Sequence, residues 1–195
     1  MARTASLHRV TKETDIALTL TMDTQEAISI DTGIPFMDHM LGSMAFHGRL
    51  GLEIKATGDL AVDYHHTVED IGIVLGQVLA KIVEENGPVA RFGFASIPMD
   101  DALSQASIDV CNRAYLVHQV SYPQAYSGVF DMSLFREFFL ALTNNARINL
   151  HLINLYGENS HHISESLFKA LGRALSMAYA PGESLGGVQS TKGVL

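Results

Sequence analysis

Residues 63–70 read DYHHTVED, and residues 160–168 read SHHISESLF, so His65, His66 and Glu69 form an HHxxE pattern that returns at His161, His162 and Glu165. The two pairs lie 96 positions apart (161 minus 65) in a chain of 195 residues. Recurrence over half the chain length indicates an internal duplication rather than a short solenoid repeat. The segments flanking each pair carry the same order of elements.

TDIALTLTM at 14–22 and EAISI at 26–30 alternate apolar and polar residues, the period of a half-buried strand, and together predict a hairpin. In GIPFMDHMLGSMAFHG, Phe36, Met40, Met44 and His47 fall at helical intervals between Pro35 and Gly48. GLEIKATGDL then alternates as a strand. After the first histidine pair, Ile71, Leu75, Val78, Leu79 and Ile82 form a helical stripe that ends at Asn86, Gly87 and Pro88. The second half runs in the same order. RFGFASIPM and SQASIDVCNRAYLVHQV read as strands, and MSLFREFFLALTNN shows helical spacing through Leu134, Phe138 and Leu142. RINLHLINLYG alternates, and the helix after the second pair carries Ile163, Leu167, Leu171, Ala174 and Ala178 up to Pro181 and Gly182. The expectation is an α+β fold of two similar halves, 1–90 and 91–195, each a small β-sheet backed by two helices. No Pro/Gly/Ser-rich linker separates them, so they are read as one compact unit.

A hydrophobic content of 47% supplies a substantial core. Thirteen Lys and Arg against 21 Asp and Glu give a net charge of −8, which argues against a broad phosphate-backbone footprint and so against a nucleic-acid partner. The single cysteine, Cys111, cannot form an intrachain bridge and fits a small core residue in a reducing compartment. MARTASLHRVTKET lacks the apolar core of a signal peptide, and no apolar run approaches the roughly 18 residues of a membrane span. A soluble, cytoplasmic protein without a membrane partner is expected.

On a helix, residues three or four apart share a face, while neighbours diverge by about 100°. His65 and Glu69 can therefore grip one ion while His66 serves another, and the same holds for His161, His162 and Glu165. Imidazole nitrogen mixed with carboxylate oxygen suits Mn, Fe, Co or Zn, with no thiolate to bias the choice. A lone histidine is more often a satisfied surface or core residue, but duplicated core packing gives no reason to keep two imidazoles and a Glu in both copies. His39, 26 residues before His65, is a further ligand candidate, and Glu137 holds the matching place 24 residues before His161. A helix carboxylate such as Glu137 is also commonly just part of a solvated face. Asp38 and Asp70, next to candidate ligands, are read as groups that orient them, Asp70 equally as an anion near its helix N-terminus.

GIPFMDHML, DYHHTVEDIGIVLG, RFG, MDDAL, ENSHHISESLFKALGRAL and the terminal STKGVL resemble the imidazoleglycerol-phosphate dehydratase family of histidine biosynthesis, from about residue 8 to the end. The resemblance implies two α+β halves of the ribosomal protein S5 domain 2-like kind, in a form without a fused phosphatase domain. It further implies a homo-oligomer of 24 chains with two Mn(II) ions in each intersubunit site. One ion would take His65, Glu69, Glu137 and His161, the other His39, His66, His162 and Glu165, some from a neighbouring chain. Many family members have histidine where this chain has Glu137, and CNRAYL departs from a usual SGRPYL while keeping Arg113.

By the same resemblance the substrate is D-erythro-imidazole-glycerol phosphate, dehydrated to imidazole-acetol phosphate. The hydrogen to be removed lies on a carbon with no adjacent carbonyl, so an enolate route is closed. Binding of the substrate ring to the metals as an imidazolate would let it expel the hydroxyl, leaving a diazafulvene-like intermediate. Glu13 and Glu165 are the expected acid/base residues. Arg91, Arg113, Lys169, Ser190 and Lys192 are the phosphate-binding candidates, Lys169 also because it lies four residues after Glu165 on the same helical face. Two other classes compete: a two-metal phosphoesterase, whose sites draw more on Asp, and a non-catalytic metal store, which needs no phosphate-binding cations.

Overall fold

The computed structural model describes residues 2–24 and 27–182. Two four-stranded sheets carry the chain. The first is built from β1 (Thr4–Val10), β2 (Thr14–Thr21), β3 (Ile28–Asp31) and β4 (Gly51–Gly58), in the order β1-β2-β4-β3. The second takes β5 (Phe92–Met99), β6 (Ala102–Asp109), β7 (Tyr115–Gln119) and, after the two-residue ribbon strands β8 (Tyr126–Ser127) and β9 (Phe130–Asp131), β10 (Asn149–Tyr156). Its order, β5-β6-β10-β7, is that of the first sheet. In both, the first three neighbours are antiparallel and the last pair is parallel.

The expected hairpin between residues 14–22 and 26–30 does not form. β2 pairs instead with β1 and β4, and β3 lies parallel to β4 on the far edge. The reason is the helix between β3 and β4, α1 (Pro35–Gly48). A parallel pair needs a crossover of this kind, whereas β1 and β2 need only a short turn. β1 escaped notice in the sequence because it is an edge strand on which only Ala5 is buried. Helix α3 (Leu134–Ala146) makes the equivalent crossover from β7 to β10.

The remaining helices, α2 (His65–Asn86) and α4 (Ser160–Ala178), each begin at a histidine pair. α2 packs on the first sheet and α4 on the second, and the two helical layers meet crosswise, α1 on α4 and α2 on α3. Ile71, Leu75, Val78, Leu79 and Ile82 on α2 and Ile163, Leu167, Leu171, Ala174 and Ala178 on α4 are fully buried, as their spacing predicts. Each buried Leu or Ile contributes about 1.5–3 kcal/mol. Phe135, Phe138, Phe139 and Phe168 fill the space between α3 and α4, with the rings of Phe135 and Phe168 5.0 Å apart. Cys111 is a buried free cysteine.

Glycine sets both helix crossings. A Cβ on Gly48 would lie 2.7 Å from the carbonyl oxygen of Gly172, and one on Gly76 would lie 2.6 Å from that of Leu142. Gly76 and Gly172 are themselves 96 positions apart (172 minus 76), so the close approach was duplicated along with the histidine pairs.

Candidate metal centre

The helix starts place the histidine pairs. Asp63 Oδ1 accepts the amide N–H of His65 at 2.8 Å, and Asn159 Oδ1 accepts that of His161 at 2.9 Å. The same two-residue cap thus starts both helices and presents both imidazole pairs in a first turn.

His39 of α1 and His161 and Glu165 of α4 converge at the α1/α4 crossing, with one ligand atom from each within 4.8 Å of the others. His39 Nε2 stands 3.6 Å and His161 Nε2 3.4 Å from Glu165 Oε2. Among the described residues no other trio of His, Cys, Asp or Glu gathers so closely. His65 Nε2 lies 3.6 Å from Glu69 Oε2, and His65 shares an open pocket with Glu137, whose carboxylate meets the Arg136 guanidinium at 3.3 Å. His65, Glu69 and Glu137 thus occupy, on α2 and α3, the places that His161, Glu165 and His39 occupy on α4 and α1. His161, which the resemblance groups with His65, stands in this chain with His39 and Glu165 instead.

The second imidazole of each pair faces away from its trio. His66 Nδ1 lies 3.0 Å from Asp59 Oδ2 and 4.0 Å from Glu13 Oε2. His162 Nδ1 lies 2.5 Å from Asp101 Oδ1, with Nε2 3.6 Å from Asp100 Oδ2. The hydrogen bond to Asp59 raises the pKa of His66, and that to His162 holds the carboxyl of Asp101 far below the usual range. For Glu165, burial pushes the pKa up, but the Lys169 ammonium 2.8 Å away and the nearby histidines outweigh it and keep the group anionic.

These donors fit a divalent ion of the Mn, Fe, Co or Zn type: imidazole nitrogen and carboxylate oxygen converge in the His39 trio without sulfur. Asp38 and Asp70 do not orient these ligands. Asp38 Oδ1 accepts the backbone N–H and the hydroxyl of Thr32, while Asp70 Oδ2 takes the Thr14 hydroxyl and Arg9. The carboxylates hydrogen-bonded to His66 and His162 are Asp59 and Asp101, which no sequence pattern singled out. Their signal lay in strand register, since both stand where a strand ends beside a histidine pair.

The cationic candidates separate. Lys169 keeps the face of Glu165 but is ion-paired to it. Arg91 grips Asp109 through two hydrogen bonds, and its backbone N–H reaches Ala178 at the C-terminal end of α4. Since 178 minus 161 is 17 residues, Arg91 sits about 25 Å along the helix from His161. Arg113 lines an open pocket with Lys81 and Arg147, about 24 Å along α2 from His65. Ser190 and Lys192 lie outside the described residues. No helix among the described residues is long and apolar enough to cross a membrane.

The sequence profile described as Imidazoleglycerol-phosphate dehydratase matches residues 32–175. The imidazoleglycerol-phosphate dehydratase of Pelobacter propionicus is 48% identical over 195 residues, covering all of both chains. That of Streptococcus sanguinis is 49% identical over 193 residues, 99% of this chain and 100% of its own. Among solved structures, the enzyme of Pyrococcus furiosus superposes with a TM-score of 0.84 at 41% identity, covering 97% of this chain and 100% of that one. The Staphylococcus aureus enzyme gives 0.83 at 36% identity over 92% of this chain and 99% of its own. The phosphoesterase alternative finds no support in these matches. The chain belongs to the imidazoleglycerol-phosphate dehydratase family.

Proposed function

We propose that this chain is a metal-dependent hydro-lyase of histidine biosynthesis, converting D-erythro-imidazole-glycerol phosphate to imidazole-acetol phosphate. One observation carries the reading of the site: His39, His161 and Glu165 converge at one helix crossing, and Glu137, His65 and Glu69 hold the equivalent places at the other. Each trio holds one of two Mn(II) ions and is completed by His66 or His162 of another copy. Such ions lower the pKa of the ring N–H of a bound imidazole, as they do for bound water.

The chain's own groups supply the rest. Glu13 lies in the β1–β2 turn, about half exposed, and makes no hydrogen bond through its carboxylate to the described residues, which leaves it able to accept the carbon-bound proton. Glu165, kept anionic by Lys169, stays a ligand able to act beside its metal. Lys169, Arg91, Arg113, Ser190 and Lys192 bind the phosphate. Because Arg91 and Arg113 stand a helix length from the histidine pairs of their own chain, they act on a neighbour's substrate. The site therefore lies between chains of a homo-oligomer, 24 copies by family likeness, with the two halves of each chain acting as one cytoplasmic unit. Phe92 and Phe94, 61% and 50% exposed on the outer face of β5, supply apolar surface for such contacts.

The test is an absorbance assay for imidazole-acetol phosphate with Mn(II)-loaded and chelator-stripped protein, beside His162→Ala. Turnover that requires metal and is lost in His162→Ala is expected. Folded, metal-loaded protein without turnover would refute the assignment.

A further inference from the structure

The two halves hold their second imidazoles in different ways. By strand register, Thr14 opposite Gly58 in the first sheet corresponds to the Ala102 end of β6 beside the end of β10 in the second. Glu13 in the first turn therefore matches Asp101, and Asp59 after β4 matches Gly157 after β10. In the first half Asp59 binds His66 Nδ1, and Glu13 stays 4.0 Å off. The second half has no room for a copy of Asp59, because a Cβ at Gly157 would lie 2.6 Å from Ile163 Cγ1 and 3.0 Å from the Ala102 methyl. There the turn residue itself takes the role: Asp101 Oδ1 binds His162 Nδ1, while its Oδ2 accepts the backbone N–H groups of Glu158 and Asn159. Two unrelated positions thus arrive at the same contact.

A carboxylate only accepts, so each contact puts the imidazole proton on Nδ1 and leaves the Nε2 lone pair pointing away from it. Stability alone does not account for Asp59, whose Oδ1 is buried without a hydrogen-bond partner among the described residues. We propose that Asp59 and Asp101 are positioning residues that fix His66 and His162 as Nε2 ligands for a divalent metal. This rests on the proposed metal site. Asp100, 3.6 Å from His162 Nε2, is the other charged group facing that ring.

The experiment is Mn(II) titration of the full-length oligomer, followed by electron paramagnetic resonance of free Mn(II), with folding checked by circular dichroism. Asp59→Ala and Asp101→Ala are each expected to weaken Mn(II) binding about 10–100-fold. Asp59→Asn and Asp101→Asn, which keep an acceptor oxygen, should recover part of the loss. Asp15→Ala, which breaks the His8–Asp15 pair between β1 and β2, should leave the affinity unchanged. If folded alanine variants bind Mn(II) within twofold of the unmodified protein, the inference is overturned. Absence of tight binding in the unmodified protein would instead overturn the metal site itself. Should Asp101→Ala fail to fold for want of the Glu158 and Asn159 amide contacts, Asp101→Asn and Asp59→Ala decide between the same two results.

Discussion

Glu13 and Asp101 occupy the same position in the two halves, the last turn residue before β2 and before β6, yet only Asp101 is tied down. Duplication followed by divergence has left one carboxylate fixed on an imidazole and its counterpart 4.0 Å from one, without a carboxylate hydrogen bond to the described residues. A proton carrier must change partners during turnover, which suits Glu13 and not Asp101. Glu13→Gln is therefore expected to lower kcat by about 10²–10⁴-fold, with Mn(II) content and thermal stability close to those of the unmodified protein. Steady-state kinetics beside metal analysis checks this. Full activity in Glu13→Gln would move the proton transfer to another group.

The helix crossings make a second expectation specific. Gly172 lies against the backbone of Met44 and Gly48, where an added methyl has no room, so Gly172→Ala should cost about 1–3 kcal/mol through overpacking. Gly42, inside α1, has nothing within 4 Å of where its Cβ would be, and Gly42→Ala should stabilise by about 0.5–1 kcal/mol. Denaturant midpoints of the two variants should shift in opposite directions. Stabilisation in both would show that the α1/α4 crossing relaxes, and destabilisation in both would show that the Gly42 site has no room for a methyl group.

Arg3 and Asp23 give a pH-dependent term remote from the metal residues. Two guanidinium nitrogens of Arg3 meet the Asp23 carboxylate at 2.8 and 2.7 Å, and Arg3 also reaches the Tyr179 carbonyl, tying the start of β1 to the end of α4. The hydrogen bonds from Arg3 hold the Asp23 carboxyl below its ordinary value. A lowered folded pKa means that the stabilisation is present above the unfolded value, near pH 4, and is lost as pH falls through the folded one. The carboxylate is about one-third exposed, so solvent screening limits the pair to about 0.5–1 kcal/mol. Asp23→Asn should melt lower than the unmodified protein from pH 8 to about pH 5, with the difference closing below about pH 4. A difference that persists at low pH would trace it to something other than the charge.

The helices could be read almost entirely in the sequence because their buried faces recur with one period: Ile71 through Ile82 and Ile163 through Ala178 lie inside as spaced. Strand pairing could not. Alternation locates β2 and β3, but which strand lies beside β2 depends on the α1 crossover, a non-local fact that no window of residues contains. The same division runs through the site. His65 with Glu69 and His161 with Glu165 are local, four residues apart on a helix, and were legible. Asp59 and Asp101 reach their histidines from strand ends, 7 and 61 residues away, and nothing in the local spacing announces them. Asp38 and Asp70 misled because sequence adjacency to a ligand says little about which way a helical neighbour points.

Glu137 stands where the equivalent position of the first half carries His39, which makes it the sharpest test of the two-ion reading. Its carboxylate meets Arg136 and opens on the pocket of His65, with Glu69 one turn along α2. Carboxylate oxygen and imidazole nitrogen are both acceptable Mn(II) donors, so Glu137→His should keep both ions and much of the activity. Glu137→Ala removes a donor from one trio and leaves the His39, His161 and Glu165 trio whole. After dialysis against a weak chelator, metal analysis should then find about one Mn(II) per chain in Glu137→Ala where the unmodified protein and Glu137→His hold about two. Turnover should fall with the missing ion, because the proposed reaction uses both. If Glu137→Ala keeps both ions and full activity, Glu137 is a surface carboxylate paired with Arg136 and not a metal ligand.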